Sequence, residues 1–184
     1  MQRSHSHHSF CCLHVNHNVR PDLSYAIIVF DASNISYPGP QPKSVTQRYY
    51  GGSEDYFTHK NSGIDFHLDV GTNCGKGCSQ SLLSLRGNYS APLYADRALD
   101  ILKDHDPSIP LFLYSPFQSV HCPIEAPASY VQPYLHLAPQ RQVFAGMLAA
   151  LDEAVGRVYK GFTDKGMTDN LLTIFTTDNG GPVL

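Results

Sequence analysis

The sequence predicts an α/β domain with a mostly parallel sheet and helices packed on it. Three consecutive segments carry that expectation: the apolar run Leu111-Phe112-Leu113-Tyr114, a helical period from Arg141 to about Thr163, and the run Leu171 to Thr176. Strand, helix and strand in that order make a βαβ unit, whose crossover is right-handed and whose two strands are parallel. At 184 residues the chain is long enough to bury one real core, and its 42% apolar composition suits a globular domain.

Along the chain, residues 1 to 23 are rich in His, Ser and Asn, with five histidines in the first seventeen positions, and lack a hydrophobic period of either kind. They read as a ragged or disordered terminus, with a loose metal-binding tract as the alternative. Tyr25-Ala26-Ile27-Ile28-Val29-Phe30 is β-branched and aromatic and ends at Asp31, which makes it the first convincing strand. Pro38, Pro40 and Pro42 then remove alternate backbone donors and force a loop. From Gly51 to Asn88 the chain is rich in Gly, Ser, Asp and Asn, as expected of a long surface excursion. Ala91 to His105 places Leu93, Ala95, Leu99, Ile101 and Leu102 among polar positions and stops before Pro107, predicting a helix.

The run Leu111 to Tyr114 is too short for a helix and is typical of a strand buried on both faces. In the following helix Val143, Met147, Leu151, Ala154, Val158 and Phe162 recur at spacings of three and four, a face expected to pack on a sheet. Gly166 suits the left-handed conformation that ends a helix, and Leu171 to Thr176 is expected to be a second buried strand.

Composition excludes several functions. Thirteen Lys and Arg against sixteen Asp and Glu give a net charge of -3, so no basic surplus advertises nucleic acid. No apolar run approaches the roughly 20 residues of a membrane-spanning helix. Phe10 to Val15, broken by His14, falls short of a signal-peptide core. Cys11, Cys12, Cys74, Cys78 and Cys122 are an odd number without repeated spacing and do not describe a disulfide scaffold. Cys74 and Cys78, with His59 and His67 upstream, have a spacing allowed for half a zinc site, but no second pair follows; a local disulfide or two free thiols is the competing reading. Gly75-Lys76-Gly77 lacks the remainder of a phosphate loop. Asn34-Ile35-Ser36 and Asn88-Tyr89-Ser90 are glycosylation acceptors if the chain enters the secretory pathway.

Parallel strands joined by a crossover end at one edge of the sheet, where ligands of open α/β folds bind. The loop after the first strand holds Gln118-Ser119-Val120-His121, and the loop after the second holds Thr177-Asp178-Asn179-Gly180-Gly181. Asp178 and Asn179 are hard oxygen donors suited to calcium or magnesium, and the glycines leave room for an ion. The same four residues also make an ordinary turn, and His121 also suits a hydrogen-bonded loop histidine.

Pro110 to Tyr114, Gln118-Ser119-Val120-His121, Tyr130-Val131-Gln132-Pro133-Tyr134, Phe144-Ala145-Gly146-Met147, Leu151-Asp152-Glu153-Ala154-Val155-Gly156 and Phe175-Thr176-Thr177-Asp178-Asn179-Gly180-Gly181 together resemble the sulfatase family. The nearest branch is that of arylsulfatase B, the N-acetylgalactosamine-4-sulfatase type, and Gly51 to Phe57 resembles a segment of the same branch. The resemblance covers residues 48 to 184, leaving residues 1 to 47 as an unmatched, partly disordered N-terminal segment. It implies part of an alkaline-phosphatase-like α/β fold, hydrolysis of sulfate esters with bound calcium, and a lysosomal or secreted location. It further implies that Asp178 and Asn179 are metal ligands, that His121 contacts sulfate in catalysis, and that the partner is a sulfate ester or sulfated glycan.

The family's nucleophile lies in Cys-x-Pro-x-Arg or Ser-x-Pro-x-Arg, converted to formylglycine, and this sequence has neither pattern. The first Asp-Asp metal pair and the lysine- and histidine-bearing loop are also missing. Asp31 follows a strand but lacks the family's surroundings, so it reads as a turn aspartate rather than a ligand. The expectation is therefore an inactive sulfatase fragment that exposes apolar faces and dissolves poorly. A non-catalytic protein that binds sulfated glycans or pairs with a sulfatase is the alternative.

Overall fold

The computed structural model describes residues 14–16, 26–31, 67–69, 79–81, 83–85, 88–120 and 124–177. Six strands are described: β1 (His14–Asn16), β2 (Ala26–Asp31), β3 (His67–Asp69), β4 (Ser79–Ser81), β5 (Leu111–Pro116) and β6 (Leu171–Thr176). Three α-helices accompany them: α1 (Ser90–Asp104), α2 (Ala128–Val131) and α3 (Pro139–Asp164). The main sheet has the order β1-β5-β2-β6, with β2 parallel to both β5 and β6 and β1 antiparallel on β5.

The expected strands and the two long helices are present with boundaries within a few residues, but their arrangement departs from expectation in two ways. First, β5 and β6 are not adjacent: β2 lies between them, pairing Ile28 with both Leu113 and Thr173. Secondly, α3 packs chiefly on α1 instead of lying on the sheet. Gly161 makes the approach close, since a Cβ there would stand 2.6 Å from Leu99 Cδ2 and 3.0 Å from Leu102 Cδ1. The residue run 67–81, expected as irregular surface chain, contains an antiparallel pair, β3 with β4.

The core explains why both helices form where they do. From α1, Ala91, Tyr94, Ala95, Ala98 and Leu102 are buried; from α3, Met147, Ala150, Leu151, Ala154, Val158 and Phe162. Each set follows the 3.6-residue period, so one stripe per helix leaves water while charged positions remain outside. Small alanines at the contact let the two helices approach, and Ala26, Leu111 and Leu113 close the core from the sheet. Register places Ala26 opposite Leu111. The α1 C-terminus is closed by Lys165, whose Nζ donates to the Lys103 and His105 carbonyls at 2.9 and 3.0 Å, a favourable place for a cation. Gly166, with φ of 69°, ends α3 as expected.

The burial expected of the two strands holds only in part. In β5, Leu111, Leu113 and Ser115 are buried and the alternate residues are half-buried, so one face is fully covered. In β6, Leu172, Ile174 and Phe175 are 55%, 40% and 58% exposed. The reason is position: β6 has β2 on one side and, among the described residues, no strand on the other, and α1 and α3 gather over β5 and Ala26. An uncharged six-residue edge of high β-propensity is a template for pairing with other chains. Leu172→Lys is accordingly expected to raise the concentration at which the chain stays soluble without lowering its melting temperature, measured by sedimentation and circular dichroism. Equal precipitation of the variant and the parent would show that β6 does not drive association.

Candidate functional site

The site is built at the carboxyl edge of three parallel strands. Register aligns Asp31 with Pro116 on one side and with Thr176 on the other, so the last residues of β5, β2 and β6 stand abreast. At about 4.8 Å per strand, the ends of β5 and β6 are about 10 Å apart with β2 between them. The strand ends from which the two loops leave are thus separated by the exit of β2. His121, Asp178 and Asn179 themselves lie outside the described residues. The chain leaves the described residues at Val120 and again at Thr177, one residue ahead of His121 and of Asp178 respectively. Cys74, Cys78 and His59 also fall outside them, as does the side chain of His67. No group of three or more metal-ligating side chains occurs among the described residues.

Asp31, a turn aspartate by its sequence surroundings, has its backbone at the end of β2, between β5 and β6. The carboxyl end of such a strand is where open α/β sheets present ligands.

Phe117 and Glu125, which flank His121 in the sequence, are held by Tyr94 of α1 and by Tyr89, the residue just before that helix. Because α1 runs back toward the start of β5, its N-terminal turn lies near the end of that strand. There the Tyr94 ring meets the Phe117 ring edge-on, with centroids 6.0 Å apart and planes at 80°. The Tyr89 hydroxyl donates to the Glu125 carbonyl at 3.1 Å in buried surroundings. Between these anchors Gln118 and Ser119 are buried, and Gln118 Oε1 and Ser119 Oγ have no hydrogen-bond partner among the described residues.

Tyr89→Phe removes the donor from a buried carbonyl while preserving the ring, at an expected cost of about 1 kcal/mol. Amide hydrogen exchange should then rise across residues 117–126 and remain unchanged in α3. Unaltered protection of that segment would mean the bond does not hold the loop.

A sheet whose three parallel strands end abreast at one edge belongs to the class of α/β folds that present ligands at the carboxyl ends of their strands. Within that class the chain belongs to the sulfatase family, whose pattern matches residues 31–184 and so takes in Asp31. The fold is accordingly alkaline-phosphatase-like α/β, seen here in part. Arylsulfatase J from Mus musculus is 36% identical over 135 residues, 71% of this chain and 22% of that protein. N-acetylgalactosamine-6-sulfatase from Homo sapiens is 28% identical over 92 residues, 50% of this chain and 17% of that protein. The chain thus spans about a fifth of the length of these curated relatives. Among solved structures, Ps i-CgsB superposes with a TM-score of 0.51 at 25% identity, covering 58% of this chain and 23% of that one. A second structure of Ps i-CgsB, in complex with k-i-k-neocarrahexaose, matches in fold with a TM-score of 0.50.

Proposed function

We propose that residues 48–184, together with β2, form the central part of a sulfuric ester hydrolase domain of arylsulfatase type, with its ligand edge at the ends of β2, β5 and β6. The observation that carries this reading is the alignment of Asp31, Pro116 and Thr176 on one edge of a chain that matches the sulfatase family over residues 31–184. Asp178 and Asn179 hold calcium, and Asp31 joins them from the central strand. The donor chemistry suits that ion: two carboxylates and one amide carbonyl are all hard oxygens, with no thiolate to favour zinc. Calcium, when bound, neutralises charge on sulfate oxygens. His121 offers a ring N–H to a sulfate oxygen or to the leaving oxygen. The substrate class is a sulfate ester, a sulfated glycan included, and the protein works in lysosomes or outside the cell.

Turnover needs a nucleophile, and neither Cys-x-Pro-x-Arg nor Ser-x-Pro-x-Arg occurs in these 184 residues. That absence favours a second reading, in which this chain retains sulfated ligands, or pairs with a complete sulfatase, without cleaving them. An aryl sulfate assay with and without calcium separates the two. Retention of ligand with no sulfate released is expected of this chain as written, whereas calcium-dependent release would mean that a different residue supplies the nucleophile.

A further inference from the structure

We propose that Asn88 is an N-glycosylation site that is modified before α1 docks, leaving a glycan on the same edge as the candidate site. This inference rests on the lysosomal or secreted location proposed above. Asn88-Tyr89-Ser90 has the acceptor pattern. Asn88 is exposed, in a bend between the 3-10 turn Leu83–Leu85 and the start of α1. Its Nδ2 donates to the Leu85 carbonyl at 2.9 Å, and its backbone N–H donates to the same oxygen at 3.1 Å. An amide nitrogen carries two hydrogens, so the modified nitrogen still has one N–H to donate.

The other two acceptor residues behave differently. Tyr89 is buried with its hydroxyl on Glu125, and Ser90, the first residue of α1, is 0% exposed. Ser90 Oγ has no hydrogen-bond partner among the described residues. A transferase must read the serine hydroxyl while it acts on the asparagine, which the folded chain does not permit. Transfer therefore precedes folding of this segment. In that step the Asn88 amide nitrogen attacks the anomeric carbon of a lipid-pyrophosphate-linked oligosaccharide. The new C–N bond replaces the C–O bond to pyrophosphate, the lipid pyrophosphate departs with the electron pair, and the amide proton passes to a base of the transferase. No group is oxidised or reduced.

The test uses the protein recovered from the cells that make it, with its subcellular fraction recorded. After glycosidase treatment in heavy-oxygen water, trypsin should yield the peptide 87–97 bearing Asn88→Asp with the heavy label. The glycosidase-sensitive mobility shift should shrink in an Asn88→Gln variant, which alters only an exposed side chain. An unmodified peptide from the lumenal or secreted fraction overturns the inference while the location stands; an unmodified peptide from cytosolic protein overturns both. A reconstituted transferase supplied with lipid-linked oligosaccharide should modify the unfolded chain and not the folded one. Equal modification of both would overturn the order of events.

Discussion

Phe162→Ala is expected to cost about 3–5 kcal/mol of folding stability, the range for emptying a large buried site, whereas Phe175→Ala should cost less than about 1 kcal/mol. Both residues are phenylalanines in regular structure, and both follow apolar patterns in the sequence. Phe162 is 0% exposed where α3 meets α1, next to the close approach at Gly161, while Phe175 is 58% exposed on the edge strand. Deleting the buried ring removes its transfer energy and leaves a cavity that close-packed neighbours fill only partly. Against a total stability of about 5–15 kcal/mol for a domain, that loss is large enough to populate unfolded chains. Urea titration followed by circular dichroism checks the pair. Equal midpoints for the two variants would mean that the α1 to α3 contact is not the core of the isolated chain.

The second large effect concerns calcium. Asp31→Asn and Asp178→Asn are each expected to weaken calcium binding by about tenfold or more, because affinity for this ion rises with the number of ligand charges. Tenfold corresponds to about 1.4 kcal/mol, a modest demand on one carboxylate beside a dication. Calorimetric titration of the full chain reads it directly. If Asp178→Asn weakens binding and Asp31→Asn does not, the central strand ends in an ordinary turn residue and the ion is held from the β6 loop alone. If neither changes the titration, the edge is not a calcium site.

Much of the fold was legible because local chemistry is sufficient for it. The helix over Pro139–Asp164 follows from Met147, Leu151, Ala154, Val158 and Phe162 recurring on one stripe, and the burial of those positions agrees. The strands at Ala26–Asp31, Leu111–Pro116 and Leu171–Thr176 follow from β-branched and aromatic runs bounded by proline, asparagine or aspartate. The antiparallel pair at 67–69 and 79–81 was missed because strands of three residues carry no measurable period. Of the proposed site, the sequence offers His121, Asp178 and Asn179 as residue types in two strand-end loops, and all three lie outside the described residues. The position of Asp31 depends on which strands flank β2, information that no local window contains.

What the sequence determined by itself was therefore which segments are helix or strand and that the chain carries sulfatase motifs, since both depend on residues near one another along the chain. Only the tertiary structure decided that β2 separates β5 from β6, that α3 lies on α1, and that β6 is the outermost strand among the described residues. Strand order depends on pairing between segments far apart in the sequence, and an apolar run reads alike whether its neighbours cover it or not. The placement of Asp31 between the ends of β5 and β6 is a consequence of that order.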